Sequence, residues 1–506
     1  VASADLTNHD LLEAIAHTGR PMLVSTGMST ESEIEEASRL LRRLGAPYVF
    51  LHCNSTYPAP YSDINLRYID RLKEISGTII GYSGHERGYH VALAAVARGA
   101  KVIEKHFTVD RGMEGNDHRV SLLPQEFAEM VQAIRDVEQA LGSAAPRRLG
   151  QGEMINRDTL AKSLVAARDI VAGEIVAPDM LRVKSPGKGL QPNRRGELIG
   201  RPAKRVMCAG DFFFASDLAE VSIAPRAYRF RRPWGVPARF HDYAEMLNRA
   251  NPPLLEFHLS YKDLEVDLDK RFRAPLSPAF VVHSPELFAG DHLMDLVSED
   301  PDYRARSLSE LQRVVDLTRR LKTWFPATAR PLIIANVGGF TGDGHLPVGK
   351  RTALYERLAE ALSRGDFDGV EIIPQTMPPY PWHFGGQQYH NLFVEDGEIA
   401  EFCRRYGYRI CLDTSHSKLS CTHLRRSFHD FVGVVAPYTA HLHLADAKGT
   451  SEEGLQIEDG EIDWGGLASE LDACCPGVGF IPEIWQGHKN GGEGFWIALD
   501  RLERHF

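Results

Sequence analysis

The sequence predicts an α/β protein of three parts: a truncated (β/α) barrel half, a small β-rich module, and a complete (β/α)8 barrel. Three observations carry this expectation. Short apolar runs alternate with amphipathic helical stretches in both end regions, as in parallel βα units. The runs are near-continuous rather than alternating, which fits a sheet covered on both faces. Between them lies a stretch dense in Gly and Pro turns: DIVAGEIVAPDML, VKSPGKGLQPN and ELIGRPAKRVMCAGDFF.

In the first part the strand candidates are 22–25 (MLVS), 48–52 (YVFLH), 78–82 (TIIGY) and 101–107 (KVIEKHF), with helices such as 30–44 between them. Only four such units precede residue 144. A closed barrel needs about 250 residues. The compact β module spans 145–222 and a connector spans 223–235, in which the basic run 229–233 reads as solvated. From 236 to 506 a second alternation supplies candidates at 254–258, 279–283, 331–335, 369–373, 409–412, 441–444 and 480–484, enough for a whole barrel.

With 506 residues the chain is too long for one core. A net charge of -10, spread along the chain, disfavours nucleic acid. No apolar run reaches the ~20 residues of a membrane span, and no signal peptide opens the chain. Seven cysteines without a C-x-x-C spacing predict structural thiols in a reducing, cytoplasmic setting.

In βα barrels the residues just past the strand ends face the active site. Here those ends read Ser25-Thr26-Gly27, His52-Cys53-Asn54-Ser55-Thr56-Tyr57, Ser83-Gly84-His85 and Lys105-His106. Two imidazoles on neighbouring strands, His85 and His106, can share a divalent metal. The hydroxyls of Ser25, Ser55 and Ser83 can each bond an anionic oxygen.

The strings VASADLTN, PMLVSTGM, LHCNSTYPAP, IIGYSGHERG and VIEKHFTVDRGMEGNDH resemble the N-acetylneuraminate (sialic acid) synthase family in order and spacing. The β module resembles the antifreeze-like SAF (β-clip) domain that follows the TIM barrel there. The resemblance implies condensation of phosphoenolpyruvate with an N-acyl hexosamine, with Mn or Mg on His85 and His106. It also implies Ser3, Ser25, Ser55 and Ser83 on phosphoenolpyruvate, Tyr57, Asp5 and Asp117 on the sugar, Lys184 reaching the site from the small domain, and a homodimer through these parts. The family's first three strands and most of its fourth have no counterpart, and with them go its phosphoenolpyruvate-clamping lysines; Cys208 stands near the place of a family Arg. This half is therefore expected to lack synthase activity without an upstream segment.

The last part offers Glu371 in GVEIIP, Asp413 and His416 in CLDTSH, His443 in HLHLAD and Glu483 in IPEIW. Three carboxylates and an imidazole at strand ends suit Mn, Mg, Co or Zn. These strings, with DGEIDW, resemble the xylose-isomerase-like sugar phosphate isomerase/epimerase superfamily. The resemblance implies Glu371, Asp413, His443 and Glu483 as ligands, Glu371 and Glu483 as the proton-transfer pair, His416 orienting a sugar or sugar phosphate, and Asp446 supporting His443. An apurinic-endonuclease-like site is disfavoured: His283 could serve, but Asn336 stands where a further His is expected. The leading expectation is a bifunctional enzyme of nonulosonic acid biosynthesis. The alternative is a sugar-binding or assembly protein with a degenerate synthase half.

Overall fold

The computed structural model describes residues 1–147, 149–219, 223–383 and 386–506. It forms two compact units, Val1–Arg147 and Arg148–Phe506.

The first unit is a parallel sheet of β1 (Met22–Ser25), β2 (Tyr48–Cys53), β3 (Ile80–Gly84) and β4 (Val102–Lys105), in sequence order. Among its helices are α1 (Glu31–Arg43), α2 (Tyr68–Ser76), α3 (His90–Ala97) and α4 (Pro124–Leu141). Thr30 and Glu33 close α1 with a capping box, which satisfies two otherwise orphaned N–H groups. Period-2 alternation sends Val24, Phe50, Ile80 and Tyr82 to the helix side, against Leu41, Leu72 and Ala92. Under that layer Lys105 Nζ meets Glu86 Oε1 at 2.7 Å with both side chains fully buried, and the Tyr82 hydroxyl donates to Glu86 at 2.7 Å.

The second unit opens with α5 (Gln151–Leu160) and an antiparallel pair, β5 (Ser163–Ala166) and β6 (Leu181–Lys184), closed around Leu164, Met180 and Phe213. The proposed module end at residue 222 lies outside the described residues.

Eight parallel strands follow: β7 (Gly235–Ala238), β8 (Leu254–His258), β9 (Ala279–His283), β10 (Leu332–Ala335), β11 (Glu371–Pro374), β12 (Ile410–Asp413), β13 (Thr439–Leu444) and β14 (Phe480–Pro482). The first five and last three form two ladders. Single bridges, Gln375 to Cys411 and Trp234 to Phe480, join them at both seams and close the ring. Strand β7 begins where the sequence reads as connector; its run is short and contains Pro237, which hides it. Leu255 and Phe257 face the helices, while Leu254, Val281, Ile334, Ile373 and Cys411 fill one layer of the lumen. The same alternation turns Glu256 and His258 inward, above that layer.

Candidate functional site

In the first unit the predicted residues gather at the strand ends. The His85 and His106 rings lie 5.0 Å apart, and Tyr57 stacks on His85 at 4.1 Å. His85 Nδ1 sits 2.7 Å from the Asn54 carbonyl. An N–H donated there leaves the Nε2 lone pair free for a metal. Ser3 Oγ accepts from Gly27 N at 3.1 Å. A Cβ on Gly27 would come within 2.2 Å of Ser55 Oγ and 2.8 Å of Ser3 Oγ, so the glycine lets the two hydroxyls close in. Ser25 and Ser83 are buried, and Ser83 Oγ donates to Glu104 at 2.7 Å. Asp5 accepts from Asn8, and Asp117 raises the Tyr57 phenol behind burial and Cys53. Lys184 is exposed at the end of β6.

In the second unit the acidic centre lies at the C-terminal mouth of the barrel, in a cavity of about 580 Å³ lined by His258, His283, Gln375, Asp413, His416 and Glu483 among others. Asp413 ends β12 and caps the helix Thr414–Leu424: Oδ1 accepts from His416 N at 2.8 Å, which leaves Oδ2 to the cavity. His443 is fully buried; its Nε2 lies 3.0 Å from Glu256 Oε1, and its Nδ1 faces Glu483 Oε2 and, at 3.8 Å, Asp413 Oδ2. Glu256 is fully buried among His441 (2.7 Å), His258 (2.9 Å) and His443. Burial alone would neutralise it, yet His443 and its two neighbours hold it ionised, well below the usual carboxylate range. Burial pushes the Asp413 carboxyl up to about 6, opposed by His416 and aided by Glu483.

Two expectations are corrected. Glu371 is the first residue of β11, not the last, and its carboxylate pairs with Arg409 through two 2.8 Å bonds. The centre lies four residues further on, about 13 Å at the strand rise of ~3.3 Å per residue. There Gln375 contacts His443 Nδ1 at 3.1 Å, Asp413 Oδ2 at 3.2 Å and His283 Nε2 at 3.2 Å. Asp446 does not support His443; its carboxylate organises the DGEIDW turn, accepting from Glu458 N, Ile462 N and Trp464 Nε1. Glu256 takes that role. The sequence carried signals for both: a lone Glu inside the apolar run LLEFH, and a polar residue directly after EIIP.

The donor set fits a cation. With Nε2–H given to Glu256, His443 turns Nδ1 towards Glu483 and Asp413, where either a proton on that nitrogen or a cation between the three groups balances the carboxylates. Glu483 Oε2 is buried, with the His443 ring nitrogen as its close neighbour. His283 Nδ1 lies 3.0 Å from the Ser284 carbonyl. As placed, Gln375 Oε1 faces His283 Nε2 and its Nε2 donates to Asp413 Oδ2; with the His283 Nδ1–H donated to Ser284, exchanging the amide nitrogen and oxygen would instead turn Oε1 towards the centre.

Residues 241–504, more than half of the chain, match the family model of the xylose isomerase-like TIM barrel. The chain belongs to that family. Residues 1–146 match the NeuB family model and residues 161–219 the SAF domain model, so the chain joins a NeuB-type half-barrel, a SAF domain and this barrel. The N,N'-diacetyllegionaminic acid synthase of Campylobacter jejuni subsp. jejuni serotype O:2 is 40% identical over 40% of this chain and 62% of its own length. The N-acetylneuraminate-9-phosphate synthase of Homo sapiens is 42% identical over 40% of this chain and 56% of its own. The chain thus spans less than two thirds of these relatives. Among solved structures, a D-tagatose 3-epimerase-like protein is 17% identical, covering 54% of this chain and 98% of that one, with a TM-score of 0.38. Among the described residues no helix is long and apolar enough to cross a membrane.

Proposed function

We propose that the C-terminal barrel is a metal-dependent sugar isomerase or epimerase, joined to a module for phosphoenolpyruvate condensation in nonulosonic acid biosynthesis. The observation that carries the first part is the convergence of His443, Asp413, Glu483 and Gln375 at one point of the barrel mouth. These four would hold the divalent ion, and Glu256 would fix the His443 tautomer. When bound, such an ion polarises a sugar carbonyl and acidifies the neighbouring C–H.

The chain's own groups then carry the proton. Glu483 offers a buried carboxylate whose Oε2 meets the His443 ring nitrogen. Gln375 cannot accept a proton and Glu371 is paired with Arg409 at the start of β11, which supports a second base from another strand. His416 is the partner we assign: its Nδ1 is held by the Thr376 carbonyl at 3.0 Å, and its Nε2, 4.0 Å from Glu453, is the nitrogen left to exchange a proton with the sugar. Trp485 and Phe495 give the cavity an apolar wall for a sugar face.

For the half-barrel, the His85–His106 pair and the Ser3–Ser55 approach support a metal and phosphoenolpyruvate site, with Ser25, Ser83, Tyr57, Asp5 and Asp117 as the further contacts.

The test is solvent deuterium exchange by NMR on a panel of aldoses, ketoses and their phosphates, with and without Mn. Metal-dependent exchange next to a carbonyl, lost in Asp413→Asn and Glu483→Gln, is expected. Exchange that survives both variants contradicts the assignment.

A further inference from the structure

The cavity of the second unit holds basic side chains that the chemistry above leaves unused. Arg239 and His241 follow β7, His488 follows β14, and Lys188 comes from the small β domain rather than from the barrel. Strands β7 and β14 meet at the Trp234–Phe480 bridge, so Arg239, His241 and His488 sit on adjoining loops of one rim. Neither Lys188 nor Arg239 has an ion-pair partner among the described residues, in a protein of net charge -10. Lys489, the next cation along, is already neutralised by Asp158. Burial lowers the His488 imidazole first, and Lys489, Arg239 and Lys188 lower it further, so their charges act on the same spot.

Lys188 is held there by a clamped loop. Gly187 N donates to the Asp158 carbonyl at 3.0 Å, Ser163 Oγ donates to the Pro186 carbonyl at 2.7 Å, and Gly189 N donates to Ser163 Oγ at 2.9 Å. A Cβ on Gly187 would lie 2.1 Å from the Arg157 carbonyl oxygen, and one on Gly189 2.6 Å from that of Phe213. Both flanking positions therefore demand glycine because backbone packs against them. Asp158 in turn takes the Lys489 ammonium, which ties the loop to the barrel. The small domain also docks through Ser216 Oγ, which donates to Glu493 at 3.0 Å.

We propose that Lys188 of the small domain and Arg239 of the barrel bind an anionic substituent, a phosphate monoester or a carboxylate, of the sugar that the barrel takes up. The small domain thereby sets the substrate class of the second active site: anionic rather than neutral sugars. A guanidinium and an ammonium together offer charge-assisted bonds to such a group, about twice as strong as neutral ones. A cavity of about 580 Å³ accommodates a hexose carrying it. This inference rests on the sugar reading of the barrel.

The experiment is calorimetric titration of the full chain with three probes: fructose, fructose 6-phosphate and glucuronate. Either anionic sugar should bind at least tenfold more tightly than fructose, and which of them does identifies the anion. Lys188→Ala and Arg239→Ala should each erase about tenfold of that preference, and Lys188→Arg should keep it within about threefold. Lys350→Ala, an exposed lysine far along the chain on an outer helix, should not alter it. Equal affinity for neutral and anionic sugars, or a preference untouched by Lys188→Ala and Arg239→Ala, overturns the proposal. Solvent exchange run on the same preparations separates the two readings. If no sugar exchanges but the anion preference depends on Lys188, the catalytic assignment fails and the anion site stands. If exchange depends on Asp413 while the preference ignores Lys188, the reverse holds.

Discussion

Replacing Glu371 by Gln tests the placement of the metal centre. The strand rise puts this carboxylate about 13 Å below Gln375. A unit charge and a divalent ion at that distance interact by about 0.6 kcal/mol at the dielectric of water and about 2.6 kcal/mol at an effective value of 20. Glu371 is already compensated by Arg409 at 2.8 Å and approached by Arg330 at 3.9 Å, so the lower figure governs. Metal affinity should therefore fall no more than about threefold in Glu371→Gln. The variant should lose about 1 kcal/mol of stability through the Arg409 pair, because Arg409 is half exposed. Asp413→Asn, which changes a donor at the centre, should cost at least a hundredfold. Both are read by titrating Mn or Co into the metal-stripped full chain. A tenfold or larger loss in Glu371→Gln would refute the geometry.

Glu256→Gln should weaken metal binding by about 10–100-fold without touching the ion, because the His443 tautomer loses its anchor; competitive chelator titration measures it. Glu86→Gln leaves the Lys105 ammonium buried without a counter-charge, and denaturant unfolding should show a loss of about 3–5 kcal/mol in the first unit. Asp295 is a stability test with a pH signature: burial raises its carboxyl from 3.8 to about 6, against hydrogen bonds from Val297 N and Gly339 N. The native state thus binds this proton more tightly than the unfolded chain. Its contribution is favourable below about pH 4 and is lost as pH rises through about 6. Asp295→Asn keeps the acceptor oxygen and should add about 1–3 kcal/mol at pH 7.5, with the gain shrinking towards pH 4; urea unfolding across that range checks it.

The βα alternation made both barrel-like parts legible, because apolar strands buried on two faces are the strongest pattern such a chain carries. Strand ends were less so. GVEIIPQ contains two polar residues of equal parity, Glu371 and Gln375, and periodicity says that both point inward but not which lies at the mouth. The bridge from Gln375 to Cys411 decides it, and that contact spans a seam no local pattern reveals. Glu256 was hidden for a related reason: it sits mid-strand, whereas ligands of such barrels are expected just past the strand ends. His443 and Asp413 were readable because each is the final inward residue before a turn or helix cap. The role of Lys188 in the barrel cavity was not readable at all, since it depends on how the small domain docks.

The proposed metal centre holds one divalent ion at the mouth of the C-terminal barrel through His443, Asp413, Glu483 and Gln375. Anomalous diffraction from crystals of the full chain soaked with Mn measures it directly. One peak is expected in this barrel, within about 2.0–2.3 Å of donor atoms from those four residues, with Glu371 still paired to Arg409. A peak at Glu371, or a metal-saturated crystal with no peak beside His443, would contradict it.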